Sequence, residues 1–167
     1  MLGGYFVRYH FINKYKNKNC KNMKDQVIEE IKRLCGKVEW MPGLGYYFMI
    51  NDTLCLYMYC RGNGSLRFAI PYLATTTVEN KEKMMTLINQ ANREVKYIKA
   101  TLLDNGSLTL TYDHKMVSGE KPKDVVPHII KALGFASSYI KEKIENEKYE
   151  NEEILVNIKS FLYLCGV

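Results

Sequence analysis

Residues 98 to 112 read Ile98-Lys99-Ala100-Thr101-Leu102-Leu103-Asp104-Asn105-Gly106-Ser107-Leu108-Thr109-Leu110-Thr111-Tyr112, and the fold turns on how this stretch pairs with itself. Two alternating runs flank a turn-forming Asp-Asn-Gly, which is the pattern of a half-buried hairpin. A two-residue turn at Asn105-Gly106 would set Leu103 opposite Leu108 and Ala100 opposite Thr111. A three-residue loop, Asp104 to Gly106, sets Leu102 opposite Leu108, Ala100 opposite Leu110 and Ile98 opposite Tyr112. A slip of one residue flips every side chain to the other face, so only the longer loop stacks the apolar sets together. It requires Gly106 in a left-handed conformation beside a bulge. Ile98, Ala100, Leu102, Leu108, Leu110 and Tyr112 then share one buried face. Lys99, Thr101, Thr109 and Thr111 share the other, which carries no catalytic group.

Working outward, Val27, Ile28, Ile31, Leu34 and Cys35 recur at helical spacing, which predicts a helix over 24–35 stopped by Gly36. Runs rich in Tyr, Phe, Met and Ile follow over 38–41, 46–50, 53–60 and 65–72, bounded by Pro42-Gly43, Asn51-Asp52 and Arg61-Gly62-Asn63-Gly64. Their connections are too short for parallel crossovers, so an antiparallel meander is expected. Met84, Leu87, Ile88, Ala91 and Val95 predict a second helix over 79–95 with Thr77 as its N-cap. After the hairpin, Ser118 to Pro122 forms a loop. A third helix runs from there to about Asn146, with Pro127 tolerated near its start and Gly134 costing about 1 kcal/mol against Ala. The charged stretch 141–153 reads as a solvated helix end or connection. Ile154, Leu155, Ile158, Phe161, Leu162 and Cys165 predict a separate last helix that either closes the core, the favoured reading, or offers an apolar face to a partner. The fold class is therefore α+β: about five antiparallel strands packed by helices, in the order α-β-β-β-α-β-β-α plus a C-terminal helix.

A chain of 167 residues suits one domain and buries roughly 70% of its unfolded surface, so no disulfide or metal is needed to hold it. Its 5 cysteines are odd in number and none are in C-x-x-C spacing, which favours reduced thiols in a cytoplasmic protein. Nothing approaches the roughly 18 apolar residues of a membrane span, and Arg8 and His10 interrupt the N-terminal run that a signal peptide would need. The net charge of +6 is placed unevenly. Arg8, Lys14, Lys16, Lys18, Lys21 and Lys24 precede the first acid, Asp25, and the remaining 18 basic residues balance the 18 acidic ones. Residues 1–22 thus read as a basic, aromatic extension and 23–167 as a single domain. The extension is either a tail with little to bury or an arm for nucleic acid, with Arg8, Lys14, Lys16, Lys18 and Lys21 on phosphates.

From Ile88 the letters run Ile88-Asn89-Gln90-Ala91-Asn92-Arg93-Glu94, then Val95-Lys96-Tyr97-Ile98-Lys99-Ala100, then Asp104-Asn105-Gly106. A helix ending in two Asn three apart, a basic apolar strand and an acidic-Gly turn resemble the YbjN family of bacterial sensory transduction regulators. A loop and a long helix follow in that family, as over 118–147 here. The resemblance implies a fold like that of type III secretion chaperones, a non-enzymatic protein-binding role and a homodimer. It marks Asn89, Asn92 and Gly106 as structural positions. The basic N-terminal segment and the helix from Ile154 depart from the family pattern.

Chemistry is sparse in the remaining residues. Asp113 and His114 are neighbours on a strand and point to opposite faces, so they cannot converge on one substrate. Three scattered histidines and no ligand-spaced cysteines predict no metal site, and the glycine pairs at Gly43/Gly45 and Gly62/Gly64 extend to no phosphate-binding pattern. Cys35, Cys55, Cys60 and Cys165 read as small core hydrophobes. No catalytic residue and no cofactor are expected. A protein-binding surface is expected on the aromatic strands and last helix, at Tyr47, Tyr57, Tyr59, Tyr72 and Phe161.

Overall fold

The structure, a computed structural model, describes the backbone of residues 22–59 and 64–164 and their side chains as far as Asn146. Helix α1 (Met23–Cys35) opens it, with the Asn22 side chain accepting a hydrogen bond from the Asp25 N–H at 3.0 Å and Gly36 ending it at φ 81°. Strands β1 (Glu39–Met41), β2 (Gly45–Ile50), β3 (Thr53–Tyr59) and β4 (Ser65–Thr75) follow, then helix α2 (Lys81–Glu94). Strands β5 (Lys99–Leu102) and β6 (Ser107–Lys115) form the hairpin, and helix α3 (Pro122–Leu164) ends the described chain. The strands make one sheet in the order β1-β2-β3-β4-β6-β5, antiparallel throughout. The α+β class thus holds, with six strands rather than five. The additional strand is β1, three residues at an edge within the run 38–41, which the count of about five strands left out and which ladders onto β2.

The hairpin pairs in the longer-loop register: Leu102 faces Leu108, Thr101 faces Thr109 and Ala100 faces Leu110. Gly106 sits at φ 80°, and the tip folds against the end of β4, where the Thr76 N–H donates to the Gly106 carbonyl at 2.9 Å. A Cβ on Gly106 would meet the Thr76 carbonyl oxygen at 2.8 Å, so both conformation and contact require glycine. The turn between β2 and β3 uses Asn51 and Asp52 at φ 45° and 60°, the paired left-handed geometry that a two-residue hairpin needs.

Three predictions for the helices and strands need correction. α2 starts at Lys81 with Asn80 rather than Thr77 at its N-cap. β4 runs beyond Tyr72 to Thr75, because its register with β6 shifts between Ile70 and Ala74; Pro71, which has no N–H to give the ladder, falls in that irregularity. The third and last helices are one continuous helix of 43 residues, Lys141–Glu153 included. A charged stretch continues a helix whenever its residues are good helix formers, and Glu and Lys are.

A single core joins the helices to one face of the sheet. Val27 and Ile31 of α1, Met84, Leu87, Ile88 and Ala91 of α2, and Val126, Ile129, Leu133, Ala136 and Ile140 of α3 meet Phe48, Cys55, Tyr57, Leu66, Phe68, Ile70, Leu108 and Leu110. Gly134 brings α3 close to β2, since a Cβ there would stand 3.2 Å from Ile50 Cγ2. Along this face the register aligns Trp40, Tyr46, Tyr57, Phe68 and Tyr112 across β1, β2, β3, β4 and β6. This is an aromatic row, with ring centroids 4.9, 6.2 and 5.0 Å apart over its first four members. Leu56 and Ala69 are also buried but face away from that core, on the sheet's other side.

Candidate functional site

The outer face is built by the same register one residue along. Tyr47, Leu56, Ala69, Thr111 and Lys99 align across five strands, flanked by Met49 and Leu54 on one side and by Met58, Arg67 and Asp113 on the other. Among the described residues no helix contributes to this face, whose strand residues lie outside the core cluster. It is apolar over β2 and β3, where Met49 is exposed, and polar toward β5 and β6. At the polar end the Arg67 guanidinium donates to both Asp113 carboxylate oxygens, at 2.6 and 2.9 Å. Tyr47 donates to the Glu39 carboxylate, which Lys37 also pairs.

The expected aromatic surface does not assemble as one patch. Tyr57 is wholly buried, stacked on Phe68, which removes it from any binding surface. The physical reason is the two-residue period of a strand: Tyr57 pairs with Tyr46, so it faces the helices, while Tyr47 faces outward. Tyr59 emerges on the helix side at the end of β3, and Tyr72 is exposed in the irregular part of β4. The side chain of Phe161 lies outside the described residues, as do Arg8, Lys14, Lys16, Lys18 and Lys21.

A second surface forms where the aromatic row reaches the sheet edge. Trp40 is 58% exposed, Leu44 52% and Tyr59 40%. With Lys24, Tyr46 and Met58 they line an open cavity of about 540 Å³ floored by Gly43 and Gly45. Gly45 is at φ 122°, and a Cβ there would stand 2.5 Å from the Tyr57 carbonyl oxygen, so backbone forms the floor. Exposed tryptophan is the feature that residue types alone did not flag, because only pairing shows that β1 is an edge.

Asn92 and Asn89 behave differently. The Asn92 amide donates to the Ala100 carbonyl at 3.0 Å and accepts from the Ala100 N–H at 2.7 Å. It supplies the ladder partner that edge strand β5 would otherwise lack. Asn89 is exposed on α2 and makes no such bond. Asp113 and His114 are on opposite faces: the His114 ring Nε2 donates to Glu120 at 2.9 Å, and Glu120 also accepts from the Val117 N–H at 3.1 Å. Those two donors, His114 foremost, hold the Glu120 carboxyl below the usual carboxylate range. Cys55 is buried and burial pushes its thiol up to about 12, while Cys35 packs half-buried against the core. Among the described residues no three His, Cys, Asp or Glu side chains come together as metal ligands. No described helix is long and apolar enough to cross a membrane.

No family model and no curated protein matches the chain. Among solved structures it is similar to the crystal structure of YbjN from E. coli, described as "a putative transcription regulator". The likeness covers 74% of this chain and 92% of that one, with a TM-score of 0.56 and 12% identity. At that identity it shows a shared fold, which is the fold the hairpin motif and element order implied.

Proposed function

We propose that this protein is a non-enzymatic protein-binding module, a regulator or secretion-chaperone-like protein of YbjN-like fold, whose contact surface is the outer face of the sheet. The supporting observation is exposed Met49 beside half-buried Tyr47 and Leu54, apolar side chains on a face over which none of the described helices packs. Methionine and tyrosine adapt to a partner's shape, and a polar margin of Arg67, Asp113 and Lys99 fits the rim of such an interface. A second copy of the chain is one candidate partner. Residues 23–167 serve as the binding domain, behind the extension 1–22, and the odd number of cysteines fits a cytoplasmic setting.

Crosslinking of the full chain in native extract, compared with Met49→Asp and Leu54→Asp variants, tests this reading. Light scattering follows self-association in the same proteins. A partner, or self-association, that survives high salt and disappears in both variants supports apolar docking on this face. Partners retained by both variants, with the fold intact by circular dichroism, refute it.

A further inference from the structure

The corner where β1 turns into β2 presents aromatic surface that the outer-face reading leaves unused. Trp40, the protein's one tryptophan, is tilted 58° against Tyr46 at a centroid distance of 4.9 Å, and Tyr59 stands at the same cavity. Large rings are usually covered in a folded chain, whereas Trp40, Leu44 and Tyr59 are exposed together. Their polar atoms are unused as well. Neither the Trp40 indole N–H nor the Tyr59 hydroxyl has a hydrogen-bond partner among the described residues. Donors on the rims of apolar rings suit an occupant that is apolar apart from its carbonyl groups.

Charge narrows the choice of occupant. The ionic groups around the corner are closed on one another: Lys24 pairs with Asp25 at 3.6 Å, and Glu39 engages Lys37 and Tyr47. The groove is therefore neutral and matches an uncharged segment better than a phosphate chain or an acidic peptide. Shape narrows it further. More than half of the Trp40 and Leu44 surface lies in solvent, so the cavity cannot enclose the roughly 70–90% of surface that a small ligand usually buries. A chain lying across the rings needs no such enclosure. β1 has few ladder bonds to give that chain, because the strand is three residues long and Pro42 follows it.

A polyproline II helix meets these conditions. Proline has no N–H to satisfy, the carbonyls of the helix point outward, and its conformation is set before binding, which is why such segments dock in aromatic-lined grooves. We infer that the groove formed by Trp40, Leu44, Tyr46 and Tyr59 binds a proline-rich segment of a partner protein. Pyrrolidine rings pack on the faces of Trp40 and Tyr59, and carbonyls of the segment accept from the Trp40 N–H and the Tyr59 hydroxyl. The site is separate from Met49 and the outer face, so its failure leaves that reading standing.

Titration of the full chain with decaproline, followed by Trp40 emission and by anisotropy of the labelled peptide, tests the groove. Binding is expected to saturate, to shift Trp40 emission and to hold between about 50 and 500 mM salt, since no ion pair forms. Tyr59→Ala, Leu44→Asp and Trp40→Leu, compared by anisotropy, should each weaken it at least about fivefold. A Gly-Ser peptide of equal length, which lacks rings and a preset conformation, should leave Trp40 emission unchanged. Melting temperatures of the variants check that the fold is kept, and Tyr59→Ala decides the matter if Trp40→Leu unfolds. The inference is overturned if decaproline does not bind, if the Gly-Ser peptide binds as tightly, or if the ring variants keep full affinity. An alternating Thr-Val peptide that binds better than decaproline would also overturn it, by assigning the corner to strand addition on β1.

Discussion

Across β3, β4 and β6 stand two rows of residues that differ by a single step along each strand. Tyr57, Phe68 and Tyr112 face the helices and are buried, two of them completely; Leu56, Ala69 and Thr111 face outward, where no described helix lies above them. The first row is covered by α1, α2 and α3, and its large rings fill the space between layers. The second row carries smaller side chains, and none of the described helices packs over it. The contrast teaches that burial alone does not identify the core: Leu56 is 4% exposed, yet it faces away from the helices and lies outside the core cluster.

Substitution across the two rows should break the symmetry sharply. Phe68→Ala leaves a cavity between sheet and helices and should cost about 3–5 kcal/mol by denaturant titration. Met49→Ser, on the outer face, should stay within about 0.5 kcal/mol in the same measurement. Equal losses would mean that the outer face is covered too.

At the hairpin, where the two faces are set, Gly106→Ala should cost about 2 kcal/mol or more. A side chain there must adopt φ near 80° and crowd the Thr76 carbonyl. A stability equal to that of the parent would show that the tip does not dock on β4. Asn92→Ala should cost about 1–3 kcal/mol, because the N–H and carbonyl of Ala100 lose their partner. Asn89→Ala, in contrast, should leave thermal stability nearly unchanged.

The smallest effect concerns pH. Glu120 has its folded-state pKa lowered, so its bonds to His114 and Val117 add stability above the ordinary carboxyl pKa of about 4.3. That contribution is lost as pH falls through the lowered folded value. Melting temperature should therefore drop on acidification more steeply in the parent than in Glu120→Gln; parallel curves would remove Glu120 from the account.

Local pattern carried much of the fold because it coincides with what each element needs. Alternation in Ile98–Tyr112 settled the register, since only one loop length puts Leu102, Ala100 and Leu110 with their apolar partners. Asn51-Asp52 announced a tight hairpin, and Gly36 a helix end. Less was legible where the deciding contact is distant in sequence. Thr77 has the chemistry of a cap, yet α2 begins only at Lys81, with Asn80 at the N-cap position and no side-chain capping bond. The charged residues 141–153 suit either a connection or a helix, and the chain continues as α3. For the candidate surfaces the shortfall was larger: nothing in Tyr46-Tyr47 or Tyr57-Met58-Tyr59 says which tyrosine faces the helices.

The sequence by itself determined the α+β class, the succession of helices and strands, the pairing of the hairpin and the basic segment before Asp25. These follow from short-range periodicity and turn chemistry, which the chain carries locally. Only the tertiary structure decided that all three described helices lie on one face and that β1 is an edge. It alone also showed that five aromatic residues from five strands form a row running from a solvent-exposed tryptophan into the core. The reason is physical: which face of a strand is covered depends on how distant segments pair and pack, and a residue's own neighbours in sequence do not encode it.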